Sequence, residues 1–89
     1  MKELILRHYI ATRERGLITD YTSLDDFRGK LEEEIKEMRD ADIHDSTIDG
    51  DFIQEAMDVV GVIFNMLHHY DIDVESEFRY NVEHQESRI

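Results

Sequence analysis

Two short acidic segments place carboxylates, the side chains best suited to chemistry in this chain, at matching intervals. The first holds Glu34 and Glu37 and the second holds Glu55 and Asp58, so the members of each pair are three residues apart. On an α-helix this spacing puts both members on nearly the same side, one turn apart. Each pair borders an apolar stripe, formed by Leu31, Ile35 and Met38 in the first segment and by Phe52, Ala56 and Val59 in the second. If the stripes pack together, four carboxylates can converge.

Converging carboxylates repel one another unless a positive charge lies between them. Sites made only of oxygen ligands select hard cations, and Mg²⁺ is bound in proteins through carboxylates, water and substrate phosphates. The pattern therefore predicts a Mg²⁺ site formed by Glu34, Glu37, Glu55 and Asp58. For a single pair the alternative is the solvated face of a Glu-rich helix, and the matching second pair favours the metal site.

The segment Glu33-Glu34-x-x-Glu37, followed by Glu55-x-x-Asp58, resembles the signature of the all-α nucleoside triphosphate pyrophosphatases, the MazG-like superfamily. Three further stretches look like short phage or bacterial members: Arg15-Gly16-Leu17-Ile18, Lys30-Leu31 and Asp58-Val59-Val60. The resemblance covers nearly the whole chain, and the acidic double motif is its most specific part.

The resemblance implies an all-α, four-helix domain whose bundle is completed by oligomerisation into a homodimer or homotetramer. It implies hydrolysis of a ribo- or deoxynucleoside triphosphate to the monophosphate and pyrophosphate, with Mg²⁺ held by the four carboxylates. Either a carboxylate or the metal would activate the attacking water. We take Glu37 as the first candidate for that catalytic role and Glu34 as the second.

The resemblance also suggests a phosphate-binding helix near the end of the chain. In the family, a lysine, an asparagine four residues later and an arginine three residues further on reach the substrate phosphates. Aligned on Arg88, the first two positions hold Asn81 and Gln85, so the sequence lacks the family's cation there. The alternative is a frayed terminal helix with no role. Lys30, one turn before Glu34, is a further candidate for binding phosphate, and its alternative is an i, i+4 partner of a glutamate.

The elements that must position these residues are helices, because apolar residues recur at the 3.6-residue period and the chain has no proline. We predict helices at Lys2–Arg15, Leu24–Ala41, Asp51–Tyr70 and from Val74 onward, with a polar loop at 42–51. Gly16 is a natural helix stop, Ser23 and Asp26 form a capping box, and Asp73 is the next N-cap. The third helix is so apolar that we expect it to be central and to contact a second subunit.

The bulk composition excludes several classes of protein. At 89 residues the chain is one small domain, and its net charge of −12 argues against nucleic-acid or anionic-membrane binding. An acidic protein with an anionic substrate needs metal ions to bridge the two. There are no cysteines, and the sequence has neither a signal-peptide core nor an apolar run long enough to span a bilayer. We therefore expect a cytoplasmic protein.

Two other readings stay open. The first is a non-catalytic MazG-like oligomer that binds only metal or nucleotide, which the departures at Asn81 and Gln85 motivate. The second is a plain acidic helical interaction module. The five histidines form no metal-ligand spacing: His68 and His69 are adjacent, cannot chelate one ion from a regular helix, and are expected at the surface.

Overall fold

The computed structural model describes residues 1–41 and 50–88, and this part of the chain contains four helices and no strand. The helices are α1 (Lys2–Glu14), α2 (Leu24–Ala41), α3 (Gly50–His69) and α4 (Val74–Glu86). The predicted all-α class is confirmed, and the predicted helix bounds agree to within one residue. The predicted polar loop lies outside the described residues except at its last two positions, which begin α3.

The helix ends form at the residues whose local chemistry predicted them. Gly16 has φ 77°, a left-handed conformation that suits glycine and ends α1. At the start of α2 the Ser23 amide donates to Asp26 Oδ2 at 2.8 Å, and the Asp26 amide donates to Ser23 Oγ at 3.1 Å. Asp73 accepts a hydrogen bond from the Ser76 amide at 3.2 Å and caps α4. The three cap predictions are confirmed.

Helix α3 is the central element, because it packs against the three other helices and most extensively against α2. Helix α1 crosses α3 at Gly61, where a Cβ would lie only 2.8 Å from two ring atoms of His8. Among the described residues the buried apolar side chains are few: Ile5, Ile18 and Phe27. The helices are therefore held by half-buried contacts around α3 more than by a deep core.

The folded chain is more open than a compact chain of its length. Its radius of gyration is 14.9 Å, against about 12 Å expected for 89 residues. Its accessible surface is 7099 Å², against about 5,500 Å² for a folded monomer of this mass. Helix α4 contributes no buried residue, and Phe78 on it is 66% exposed. In the described part of the chain, no helix has both the length and the apolar character to cross a membrane.

Candidate metal centre and adjoining cavity

Glutamates from α2 and α3 meet where the two helices pack. We call Glu34, Glu37 and Glu55 the acidic cluster, because one carboxylate oxygen from each lies within 4.8 Å of the other two. Glu34 is only 7% exposed, Glu55 is half-buried and Glu37 is exposed. Asp58, the fourth predicted ligand, is exposed and lies outside this group, in a cavity that Glu34 also lines.

Two oxygens of the acidic cluster are buried without a partner. Glu34 Oε2 and Glu55 Oε2 are both shielded from solvent, and neither has a hydrogen-bond partner. Burying a polar atom without compensation costs roughly 1–3 kcal/mol, so such atoms call for a ligand. The other oxygen of Glu34 does have a partner, because Lys30 Nζ lies 2.9 Å from Glu34 Oε1.

Lys30 forms an ion pair with Glu34 one turn away and a longer one, at 3.7 Å, with Glu33. The hydrogen bond to Glu34 is the main cause of a raised pKa of Lys30. The i, i+4 pairing expected as the alternative reading of Lys30 is therefore present. It does not exclude contact with a ligand, because Lys30 also lines the cavity beside the acidic cluster.

Glu37, the exposed member of the acidic cluster, has a raised pKa. The pKa of Glu37 is raised, first by the negative charge of Glu34, then by the hydrogen bond that a protonated Glu37 can donate to Glu34. Burial and the charges of Glu55 and Glu33 add to the rise. A carboxylate with a raised pKa holds a proton more firmly, which suits a group that must take one from water.

The geometry of the acidic cluster fits a hard divalent cation. Magnesium–oxygen distances are about 2.1 Å, so opposite ligands of one ion are about 4.2 Å apart. The three carboxylate oxygens lie within 4.8 Å of one another, so their separations are of the order that a single ion requires. Glu34 and Glu55 are also the two residues of the cluster that have a buried oxygen without a hydrogen-bond partner.

A cavity of about 400 Å³, which we call the inner cavity, opens beside Glu34 between α1, α2 and α3. Its lining residues are His8, Thr12, Arg15, Leu17, Ile18, Thr22, Asp26, Phe27, Lys30, Glu34, Asp58, Val62 and Asn65. Its lining thus includes carboxylates, apolar side chains and hydrogen-bonding groups of α1. Arg15 forms no ion pair within the described residues, which leaves a free guanidinium on this wall.

Asn65 organises the polar wall of the inner cavity. It is 4% exposed, its Oδ1 lies 3.0 Å from His8 Nδ1, and its Nδ2 donates to Thr12 Oγ1 at 3.2 Å. Since the amide oxygen can only accept, His8 must carry its proton on Nδ1. In the neutral ring, Nε2 is then left as an acceptor on a side chain that lines the cavity.

His69 lies on the other side of the connector, which we define as residues 15–23 between α1 and α2. Its Nδ1 lies 2.8 Å from Tyr9 Oη, its Nε2 lies 3.1 Å from the Thr22 carbonyl oxygen, and its ring meets the Phe27 ring edge-on at 5.2 Å. His68 is also half-buried, with its ring 4.6 Å from that of Tyr9. The expectation of two surface histidines is therefore wrong.

Helix α4 does not reach either cavity described here. Asn81, Gln85 and Arg88 are all exposed and line neither of them. The second cavity, about 450 Å³, lies on the opposite side of the acidic cluster and is lined by Glu37, Asp40, Ala41, Asp51, Gln54 and Glu55. The predicted phosphate-binding residues of α4 therefore lie apart from the carboxylates.

Sequence reasoning missed the polar wall of the inner cavity. Asn65 could have been found, because it is the one polar residue in the run from Val59 to Leu67, and a polar residue in an apolar helix face needs a partner. The residues next to His8 and Thr12 in the sequence give no comparable indication that these two side chains line a cavity. Comparison with family models, with curated proteins and with solved structures gave no match.

Proposed function

We propose that this protein is a Mg²⁺-dependent nucleoside triphosphate pyrophosphohydrolase of the MazG-like kind. The observation that supports it best is the pair of buried, unpartnered oxygens, Glu34 Oε2 and Glu55 Oε2, in a cluster whose dimensions fit one cation. The resemblance of the acidic double motif supplies the reaction class. A nucleotide substrate also favours a cytoplasmic setting.

The acidic cluster would hold the ion through Glu34, Glu37 and Glu55, and Asp58 would act from the cavity side. When bound, Mg²⁺ neutralises phosphate charge and polarises the phosphoryl oxygens. Lys30 would assist, because its ammonium pairs with Glu34 and the residue lines the inner cavity. With a cation bound beside Glu34, Lys30 would be free to contact a phosphate oxygen.

The reaction adds water to a nucleoside triphosphate. The water oxygen bonds to the α-phosphorus while the bond from that phosphorus to the α,β-bridging oxygen breaks, which releases pyrophosphate and leaves the monophosphate. Glu37 accepts the proton of the attacking water. Glu37 suits this role because it is the exposed member of the acidic cluster and can meet a water from solvent.

The inner cavity is where we place the nucleoside. Its volume of about 400 Å³ lies in the range of small-molecule sites, roughly 300–1,000 Å³. Apolar groups such as Ile18, Phe27 and Val62 would contact the faces of the sugar and base. His8, Asn65 and Arg15 offer hydrogen bonds that would favour some bases over others.

Pyrophosphate release tests the proposal directly. The common ribo- and deoxynucleoside triphosphates are incubated with the protein, with and without Mg²⁺, and both products are quantified. We expect equal amounts of monophosphate and pyrophosphate, only with Mg²⁺, and loss of both in Glu55→Gln. Glu32→Gln is the matched control, because Glu32 is an exposed glutamate of α2 outside the cluster. Release of orthophosphate alone, or activity that survives in Glu55→Gln, would contradict the proposal.

A non-catalytic protein that binds only metal or nucleotide is the second candidate, and the position of α4 favours it. No cation of α4 lines either cavity of the protomer. Thermal unfolding separates this candidate from an acidic interaction module. A ligand at 100 times its Kd stabilises the native state by about 2.7 kcal/mol. Stabilisation by Mg²⁺ without pyrophosphate release would favour the binding protein, and no stabilisation would favour the interaction module.

The open surface supports the proposal of a homo-oligomer. The accessible surface exceeds that of a compact monomer by about 1,600 Å², which is more than the roughly 800 Å² that each partner buries in a standard interface. The exposed side chains of Phe78 and Val82 on α4 are available to such a partner. Sedimentation equilibrium should give a dimer or tetramer at micromolar concentration, and Phe78→Glu should shift it toward monomer. A stable wild-type monomer would exclude the idea.

A further inference from the structure

A series of hydrogen bonds links two residues of the connector, Asp20 and Thr22, through side chains of α1 and α3. Asp20, on the connector, accepts from Arg13 Nη2 at 2.8 Å, and Arg13 Nη1 donates to Tyr9 Oη at 3.3 Å. Tyr9 Oη in turn contacts His69 Nδ1, and His69 Nε2 contacts the carbonyl oxygen of Thr22, again on the connector. His69 is the one contribution of α3 to this series.

The partners fix the tautomer of His69 and the direction of every bond. The carbonyl oxygen of Thr22 can only accept, so Nε2 must carry the proton and donate it. In the neutral ring Nδ1 is then an acceptor, so the Tyr9 hydroxyl donates to it. This leaves the Tyr9 oxygen free to accept from Arg13. Both ring nitrogens of His69 are thus used.

This series of hydrogen bonds is anchored to the connector at Asp20 and at Thr22, and the anchor at Thr22 is the stronger of the two. Asp20 is well exposed, and an exposed ion pair contributes little to stability. The bond from His69 to Thr22 is part-buried, and the Phe27 ring packs on the same imidazole. Thr22 and Phe27 both line the inner cavity, as do Leu17 and Ile18 of the connector. His69 therefore lies behind this wall and contacts two of its residues without lining the cavity itself.

We propose that His69 is a positioning residue of the inner cavity, which as the Nε2–H tautomer holds the connector in place as the cavity wall. This rests on the proposed function, since the wall is taken to contact the nucleoside. The acidic cluster lies on α2 and α3, outside the connector. Loss of the anchor should therefore weaken substrate binding and leave the hydrolytic step unchanged, so KM rises and kcat does not.

The test compares three substitutions in the full-length protein. His69→Phe keeps a ring but removes both hydrogen bonds, and His69→Gln keeps a donor able to reach the Thr22 carbonyl. His68→Phe is the matched control, because His68 is the neighbouring histidine and contacts the same Tyr9 ring, with no side-chain hydrogen bond within the described residues. We expect KM to rise about tenfold in His69→Phe, as for the loss of one hydrogen bond, and to fall back toward wild type in His69→Gln.

Amide hydrogen exchange gives a readout that does not need activity. The amides of Thr19, Tyr21 and Thr22 bond within the connector, so their exchange reports its order. They should exchange faster in His69→Phe, recover in His69→Gln and stay unchanged in His68→Phe. If His69→Phe fails to fold, His69→Asn serves instead: its amide oxygen can still accept from the Tyr9 hydroxyl, but the side chain is too short to donate to the Thr22 carbonyl oxygen.

The outcomes separate this inference from the proposed function. A wild-type protein that releases no pyrophosphate overturns the proposed function and with it the kinetic role of His69. An active wild type with unchanged KM in His69→Phe, or with equal effects in His68→Phe and His69→Phe, overturns the positioning role alone. A fall in kcat at unchanged KM also overturns it, because that would place His69 in the hydrolytic step.

Discussion

Helix α3 carries two polar groups of opposite character about three turns apart. Toward its N-terminal end, Glu55 joins Glu34 and Glu37 in a cluster of like charges with two buried oxygens that lack partners. Toward its C-terminal end, the side chains of Asn65 and His69 bond to groups on α1 and the connector. Both groups are partly buried polar residues, yet only the first is incomplete. An incomplete buried group indicates a ligand, whereas a complete one indicates a structural role.

The largest difference between the two groups should appear in Glu34→Gln, which we expect to lose turnover. An ion supplies several kcal/mol of transition-state stabilisation, so removing a buried ligand should lower kcat/KM by about 10³-fold or more. The metal-free variant should be as stable as wild type or more stable, because one of three mutually repelling charges is gone. Pyrophosphate release and urea unfolding measure the two effects, with Glu32→Gln as control. A strong loss of stability would instead assign Glu34 a structural role.

Replacing Asn65 should lower the stability of the fold, in contrast to the replacement of Glu34. Asn65→Ala removes a 4% exposed side chain and both its hydrogen bonds, to His8 and to Thr12. We expect a loss of about 1–3 kcal/mol in the free energy of unfolding, measured by urea denaturation. Asn81→Ala, an exposed position on α4, should change stability by no more than about 0.5 kcal/mol. Equal effects at the two positions would mean that the Asn65 bonds contribute nothing.

The acidic cluster should also make the metal-free protein more stable as the pH is lowered from 7 to 4.5, the usual pKa of a glutamate. The pKa of Glu37 is raised above its usual 4.5, so the folded protein holds this proton more firmly than the unfolded chain does. This contribution to stability is fully present below the pKa of Glu37 in the unfolded chain. It is lost as the pH rises through the pKa of Glu37 in the folded protein. The lowered pKa values of Asp26 and Asp73 act only at more acidic pH. Urea unfolding at both pH values should show a smaller gain in Glu37→Gln than in wild type.

The smallest effect is expected on α4. Arg88 is exposed and lines neither cavity, so Arg88→Ala should leave kcat and KM within about twofold of wild type. The double variant Asn81→Lys with Gln85→Asn, which restores the pattern of the resembled family, should be equally silent within a protomer. A rise in kcat of the double variant would show that α4 reaches the phosphates, from its own protomer or from a neighbour.

The helices and the acidic cluster followed from local signals in the sequence, and the inner cavity did not. Helix ends at Gly16, Ser23 and Asp73 depend on residues within one turn, so they can be predicted from short segments. The meeting of Glu34, Glu37 and Glu55 needed only two matching stripes and the helical period. Asp58 lies outside the group although it has the same spacing from Glu55 as Glu37 has from Glu34, so the helical period alone does not decide which carboxylates meet.

The inner cavity depends instead on where α1 crosses α3 and on the path of the connector. Its walls combine residues more than fifty positions apart, such as His8 with Asn65 and Thr12 with Asn65. No periodicity in one helix specifies such a crossing, because the partners share no local pattern. His69 was misjudged for the same reason: its neighbours Tyr9 and Thr22 lie far away in the sequence.

The contact between Gly61 and His8 ties the evolution of two positions together. Any side chain at 61 would meet the ring of His8 at 2.8 Å, so the ring must move or shrink before 61 can change. His8 also lines the inner cavity, so each such change would resize the space open to a ligand. Among descendants of this sequence, positions 8 and 61 should therefore covary, and a bulkier residue at 61 should accompany a smaller one at 8. A swap of this kind offers a two-codon route to a different ligand preference without any change in the acidic cluster.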